Sequence, residues 1–224
     1  MLNKRLRGFT IMEIMIVLIL IGIAAAMAAP PFIRRIQSQQ LYTTGQRIAS
    51  LFDYARKEAL RTGHVSYIYP AYFRTNGLIN GPATSWQKSN GLVAFNDDLS
   101  NGEEGDVGQY NQGEQFRTIQ APATAQLSAN SFMSDENPDT HPSEVGFIIL
   151  PNGEVRISDD YHNNVRGQSG KEARIVLRSK RSSKICQVVW LDAAGHGNNC
   201  PIGISSKDVS ARQRSVCACQ HQQD

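Results

Sequence analysis

Residues 14–33 carry no charged side chain, and they follow three basic residues, Lys4, Arg5 and Arg7, that have no acid among them. An uninterrupted apolar stretch of about 20 residues is long enough to cross a bilayer as a helix. Residues 9–29 supply such a stretch, broken only by Glu13. A carboxylate costs about 2.5–3.5 kcal/mol at mid-bilayer depth and less near an interface, so it normally has a partner there. A secretory signal would have the same basic start, with Ala24-Ala25-Ala26 as a small-residue cleavage site. A plain anchor would use the whole run. Neither gives Glu13 a role.

The rest of the chain is polar. Of 224 residues, 41% are hydrophobic and 19% charged, which fits a folded body and excludes a disordered or collagen-like chain. The net charge of +3 resides in the first eight residues; without them the 23 basic side chains fall to 20, equal to the 20 acidic ones. Bulk attraction to nucleic acid, which requires excess positive charge, is therefore absent from the body.

The residues Arg7-Gly8-Phe9-Thr10-Ile11-Met12-Glu13, followed by Ile14-Met15-Ile16-Val17-Leu18-Ile19-Leu20-Ile21, resemble the class III signal of type IV pilins and pseudopilins. The resemblance implies that a prepilin peptidase cuts between Gly8 and Phe9 and that Phe9 becomes the N-methylated first residue. It also implies that Glu13 pairs with the α-amino group of a neighbouring subunit. Such a pair can set register, because removing one partner leaves a buried charge worth about 3–5 kcal/mol. By the same resemblance the chain sits in the inner membrane with its head in the periplasm, then enters a pilus on the cell surface. The implied partners are other minor and major pilins, the peptidase, the inner-membrane assembly platform and membrane lipid.

Four segments follow: a leader at 1–8, an apolar transmembrane and assembly helix at 9–30, an amphipathic helix at 31–63 and a β-rich head at 64–224. Pro30-Pro31 predicts a kink or break, since proline removes a helix donor and crowds the preceding turn. Beyond it Ile33, Ile36, Leu41, Thr44, Ile48, Leu51, Phe52, Ala55 and Ala59 recur at helical spacing, and Gly63 is a stop signal. A continuous helix over 9–62 would be about 80 Å long.

Leu51-Phe52-Asp53-Tyr54-Ala55-Arg56-Lys57-Glu58-Ala59 resembles the helix end of GspH/FimT-type minor pilins. Gly146-Phe147-Ile148-Ile149-Leu150-Pro151-Asn152-Gly153 resembles a strand and turn of the same family. Strands are expected at 65–69, 91–95, 116–119, 145–150, 155–157, 174–177 and 185–191, from β-branched and aromatic runs bounded by turn formers. The fold class is α+β: one long helix against an antiparallel sheet, as in the pilin fold. Residues 96–143 read as a variable loop. Its acids, Asp97, Asp98, Glu103, Glu104, Asp106 and Glu114, lack regular calcium-loop spacing and read as a solvated surface. Lys171, Arg174, Arg178, Lys180, Arg181 and Lys184 form a basic counterpart.

Export would place Cys186, Cys200, Cys217 and Cys219 in an oxidising compartment. Cys186 and Cys200 could close a loop worth about 3 kcal/mol. A bond between Cys217 and Cys219 would be strained, so pairing of either with Cys186 or Cys200 is open as well; four cysteines allow three connectivities. Arg212 and Arg214 match the arginines of the C-terminal Gly-Arg-x-Arg motif of DNA-binding FimT-type pilins, with Ala211 in place of the glycine. That match implies a DNA contact.

His64, His141, His162, His196 and His221 are scattered, without zinc spacing, and no nucleophile elbow or phosphate loop is present. No catalysis, cofactor or metal is expected. The function implied by the resemblance is that of a minor pilin in a tip complex that primes type IV pilus assembly. The alternatives are the H-type minor pseudopilin of a type II secretion system and a DNA-binding pilin for transformation.

Overall fold

The computed structural model describes residues 9–97, 108–110, 114–133, 145–160, 167–201 and 210–219. The chain divides into two units, Met1–Gln37 and Ser38–Asp224, and helix α1 (Ile11–Thr62) contributes to both. Thr10 starts α1: its carbonyl accepts from Glu13 N at 3.1 Å and Ile14 N at 3.3 Å, and its hydroxyl accepts from Glu13 N at 3.3 Å. These bonds satisfy donors that a helix start leaves orphaned. The helix ends where Gly63 takes φ 73° and donates to the Ala59 carbonyl at 2.9 Å. It runs on through Pro30-Pro31, so the expected break does not occur. Each proline withdraws a donor and crowds the preceding turn, but the helical turns on either side carry α1 across the pair.

In the second unit α1 lays Leu41, Thr44, Ile48, Leu51, Phe52, Ala55 and Ala59 into the core, as their spacing predicts, whereas Ile33 and Ile36 of the first unit are exposed. Two antiparallel sheets meet this stripe. The first holds β1 (Ser66–Phe73), β2 (Ile79–Pro82), β3 (Gly91–Asn96), β4 (Gln115–Gln120), β6 (Gly146–Ile149) and β7 (Val155–Ser158), in the order β4-β3-β1-β6-β7. Strands β2 and β6 share one side of β1: β6 takes Ser66 to Ile68, and β2 takes Ala71 and Phe73. The second sheet runs β10-β9-β8-β5, from β5 (Ala125–Phe132), β8 (Glu172–Ser179), β9 (Ser182–Leu191) and β10 (Gly197–Asn199). The α+β arrangement of a long helix and antiparallel sheets is thus observed.

One core joins the helix stripe to Ile68, Leu92, Ala94, Ile119 and Phe147 of the first sheet and to Leu127, Ile175, Leu177, Val189 and Leu191 of the second. Phe52 meets Phe147 edge-on at 4.9 Å, and Trp86 donates its indole N–H to the Val145 carbonyl at 2.8 Å. Each sheet also buries its other face. On the first, Tyr67, Tyr69, Phe73, Val93 and Phe95 cluster with Tyr110; on the second, Val176 and Val188 lie with Trp190 and the cysteines.

All seven expected strands exist. Three more, β2, β5 and β10, were not legible. The stretch 96–143, read as a variable loop around the strand expected at 116–119, contains β5 as well as β4. Alternate residues of β5 are buried, but they are Ala125, Leu127, Ala129 and Ser131, mostly small side chains of low strand preference.

Gly45 lets the sheet approach the helix. A Cβ there would sit 2.4 Å from Asn199 Oδ1. Asn199 donates its side-chain amide to the Tyr42 carbonyl at 3.1 Å and accepts from Gln187 Nε2 at 2.8 Å, so β9, β10 and α1 share one polar seam.

Candidate functional site

The N-terminal motif falls partly inside the described residues. Gly8 and the leader lie outside them. Phe9 is 79% exposed, and Ile11, Met12 and the large apolar side chains from Ile14 to Ile23 are each about half exposed or more. Among the described residues the α1 cap is made by Thr10, through its carbonyl and hydroxyl, and not by the Glu13 carboxylate. The start of α1 therefore presents an acid beside a continuous apolar surface. Exposed apolar area of this extent marks a lipid or protein contact. Among the described residues no helix is long and apolar enough to cross a membrane. The expected transmembrane segment at 9–30 is therefore not found within them.

The C-terminal candidates are brought together on the outer face of the second sheet. Helix α2 (Ala211–Cys217) is capped by Ser210, whose hydroxyl accepts from Gln213 N at 3.1 Å. Cys186 is bonded to Cys219 and Cys200 to Cys217, with Cα separations of 6.3 and 5.8 Å. Both cysteines flanking Ala218 pair with the sheet region, and the Cys186–Cys200 loop is not formed. Val216 and Cys217 are buried beneath α2. The sequence could not choose among the connectivities, because only the packing of α2 against β9 selects one.

Arg212 and Arg214 part ways. Arg212 donates to the Glu172 carboxylate at 3.1 Å and to the Met133 carbonyl at 3.3 Å, and its guanidinium lies 5.3 Å from the centre of the Phe132 ring. Glu172 is itself buried and accepts from the Trp190 indole at 3.1 Å. Arg212 thus fastens α2 to β5 and β8, which leaves Arg214 as the exposed arginine of the pair. The basic counterpart is also divided: Arg174 is buried, and Lys171 is paired with Asp159.

Of the six acids, Asp98, Glu103, Glu104 and Asp106 lie outside the described residues. Asp97 is buried and accepts from Gly108 N at 2.7 Å. Burial, and then the nearby Asp97 carboxylate, push the Tyr67 phenol up to about 12. Among the described residues no group of three or more His, Cys, Asp and Glu is placed to hold a metal. His196 is turned to Asp192 across the β9–β10 turn, His64 is exposed, and His141, His162 and His221 lie outside the described residues.

Sequence reasoning missed Arg56. From α1 it donates to the Ala194 carbonyl in the β9–β10 turn, and its stem lies 3.7 Å from where a Cβ on Gly153 would be. The Ala-Arg-x-Glu-Ala pattern marked the residue, but nothing local revealed that it bridges two turns.

Residues 3–29 match the model of the prokaryotic N-terminal methylation motif. No curated protein matches the chain significantly. Among solved structures the chain is similar to the type IV minor pilin FimU of Pseudomonas aeruginosa, at 13% identity and a TM-score of 0.41, over 73% of this chain and 90% of that one. It is similar also to the minor pseudopilin EpsH from the type 2 secretion system of Vibrio cholerae, at 10% identity and a TM-score of 0.41, over 74% and 99%. Likenesses at that level describe a general resemblance and decide nothing about function. The chain carries the N-terminal methylation motif of prokaryotes, at the head of an α+β body made of one long helix and two antiparallel sheets.

Proposed function

We propose that this chain is a minor pilin, processed between Gly8 and Phe9, methylated at Phe9, held in the inner membrane with its head in the periplasm, and incorporated into a type IV pilus as part of its priming complex. The observation that carries the reading is the methylation motif over residues 3–29, with Phe9 and Glu13 leading an apolar helix whose side chains lie exposed. Cleavage ahead of the run leaves the apolar helix in the mature chain. Lipid covers that surface before assembly, and neighbouring helices cover it afterwards. In the low dielectric of a helix bundle, Glu13 needs a cation, and the α-amine freed at Phe9 of an adjoining subunit supplies it.

The test is the mature N-terminus and its consequence. Mass spectrometry of protein from membranes is expected to find a methylated Phe9 start, and Glu13→Leu is expected to abolish incorporation into filaments. A different start, or normal incorporation of Glu13→Leu, overturns the reading. Deletion of the gene is expected to remove pili; loss of secreted enzymes with pili intact would reassign the chain to a type II secretion machine.

A further inference from the structure

The sequence contains Asn-Gly at Asn76, Asn80, Asn90, Asn101 and Asn152, and Asn101 lies outside the described residues. In such a pair the glycine nitrogen can attack the asparagine Cγ, because no Cβ stands in the way. The side-chain oxygen takes negative charge in the tetrahedral intermediate, and donors aimed at that oxygen lower the barrier.

The four described pairs differ in what holds the oxygen. Asn80 Oδ1 accepts from both Arg74 Nε, at 3.0 Å, and Arg74 Nη2, at 2.6 Å. Among the described residues Asn76 Oδ1 accepts from the neutral Leu78 N at 3.1 Å, and Asn152 Oδ1 from the neutral Glu154 N at 2.9 Å. Asn90 is bound through both side-chain atoms to Phe73, at 2.6 and 2.8 Å, and a Cβ on Gly91 would lie 2.3 Å from the Ile119 carbonyl oxygen. That pair is enclosed. A cation stabilises a developing oxyanion more strongly than a neutral amide does.

The backbone at Asn80 is also open, as it is at Asn76, where nothing lies within 4 Å of a Cβ on Gly77. Ala71 faces Pro82 and Phe73 faces Ile79, so Asn80 and Gly81 together oppose Tyr72 in a β-bulge. Gly81 has φ 115°, and nothing lies within 4 Å of the place a Cβ would occupy.

We propose that Asn80 is a self-modifying site, where Arg74 polarises the side-chain amide and the Gly81 nitrogen closes on it. The Gly81 N–Cγ bond forms, the Cγ–Nδ2 bond breaks, and the amide proton of Gly81 leaves with Nδ2 as ammonia. Water then opens the succinimide to aspartate or isoaspartate. The new carboxylate lies beside Arg74, so the hairpin exchanges a neutral hydrogen-bonded amide for an ion pair.

Peptide mapping of the folded full-length chain, held in neutral buffer and sampled over time, reads each pair in one sample. Asn80 is expected to convert several-fold faster than Asn76 or Asn152. In urea the three rates are expected to converge. Arg74→Ala and Arg74→Gln are each expected to bring Asn80 down to the rate of Asn76; the second keeps a neutral donor in the hairpin. A folded-state rate at Asn80 no higher than at Asn76, or an undiminished rate in both variants, overturns the proposal.

Discussion

The two parts of α1 meet opposite fates within one helix. From Ile11 to Ile23 nearly every position is apolar, and the side chains lie exposed; Ile16 retains 53% of its surface. From Leu41 to Ala59 apolar residues occupy one stripe, and that stripe is fully buried, with Leu51 at 0%. A stripe tells a chain which face to bury, and its own two sheets fill that need. A uniformly apolar helix has no preferred face, so no stripe directs which side it buries. Intrinsic helix preference does not separate the two parts; the supply of partners does.

Core truncation probes that difference most strongly. Phe52→Ala is expected to cost about 3–5 kcal/mol, read by urea unfolding of the mature chain in detergent from Trp86 and Trp190 fluorescence. Cys200→Ser with Cys217→Ser, which releases α2 from β10, is expected to cost about 2–5 kcal/mol in the same assay. Gly45→Val forces a side chain against Asn199 and Gln187 and is expected to cost about 1–3 kcal/mol. Ile19→Ala, in the exposed part, is expected to stay within about 0.5 kcal/mol. Equal losses for Ile19→Ala and Phe52→Ala would break the comparison.

Tyr67 tests the head alone. Its phenol is raised from 10.0 to about 12 because burial disfavours the phenolate. A raised value means stability present in full below the unfolded value and lost as pH climbs from about 10 towards 12. Absorbance titration is expected to show Tyr67 ionising late, together with alkaline unfolding, and Tyr67→Phe is expected to flatten that loss. At the end of α1, Arg61 holds the Glu58 carboxyl below its usual range through a hydrogen bond. Stability from that exposed pair is lost on acidification below the usual carboxylate range, and Glu58→Gln is expected to change unfolding least of all.

Much of the fold was legible because hydrophobic spacing is a local signal. The stripe of α1, its stop at Gly63 and seven strands all followed from runs of residues that bury one face or pair in sheets. Strands β2, β5 and β10 were hidden for separate reasons. Residues 79–82 end in proline, β5 is mostly alanine and polar residues, and β10 is Gly-Asn-Asn. Each becomes a strand because a neighbour offers a ladder. The candidate site divides in the same way. The motif around Phe9 and Glu13 is contiguous and readable, whereas the partners of the cysteines and of Arg212 are remote.

By itself the sequence determined a basic N-terminal stretch, an apolar helix with one acid near its start, an amphipathic continuation and a β-rich α+β body, all of them written in nearest-neighbour patterns. Only the tertiary structure decided that Cys186 joins Cys219 and Cys200 joins Cys217, that Arg212 is held by Glu172 and Phe132, and that Arg56 ties α1 to the β9–β10 turn and Asn199 ties it to β10. Those contacts depend on where two sheets place residues far apart in the chain. No local spacing encodes a distance that arises only after the core has packed.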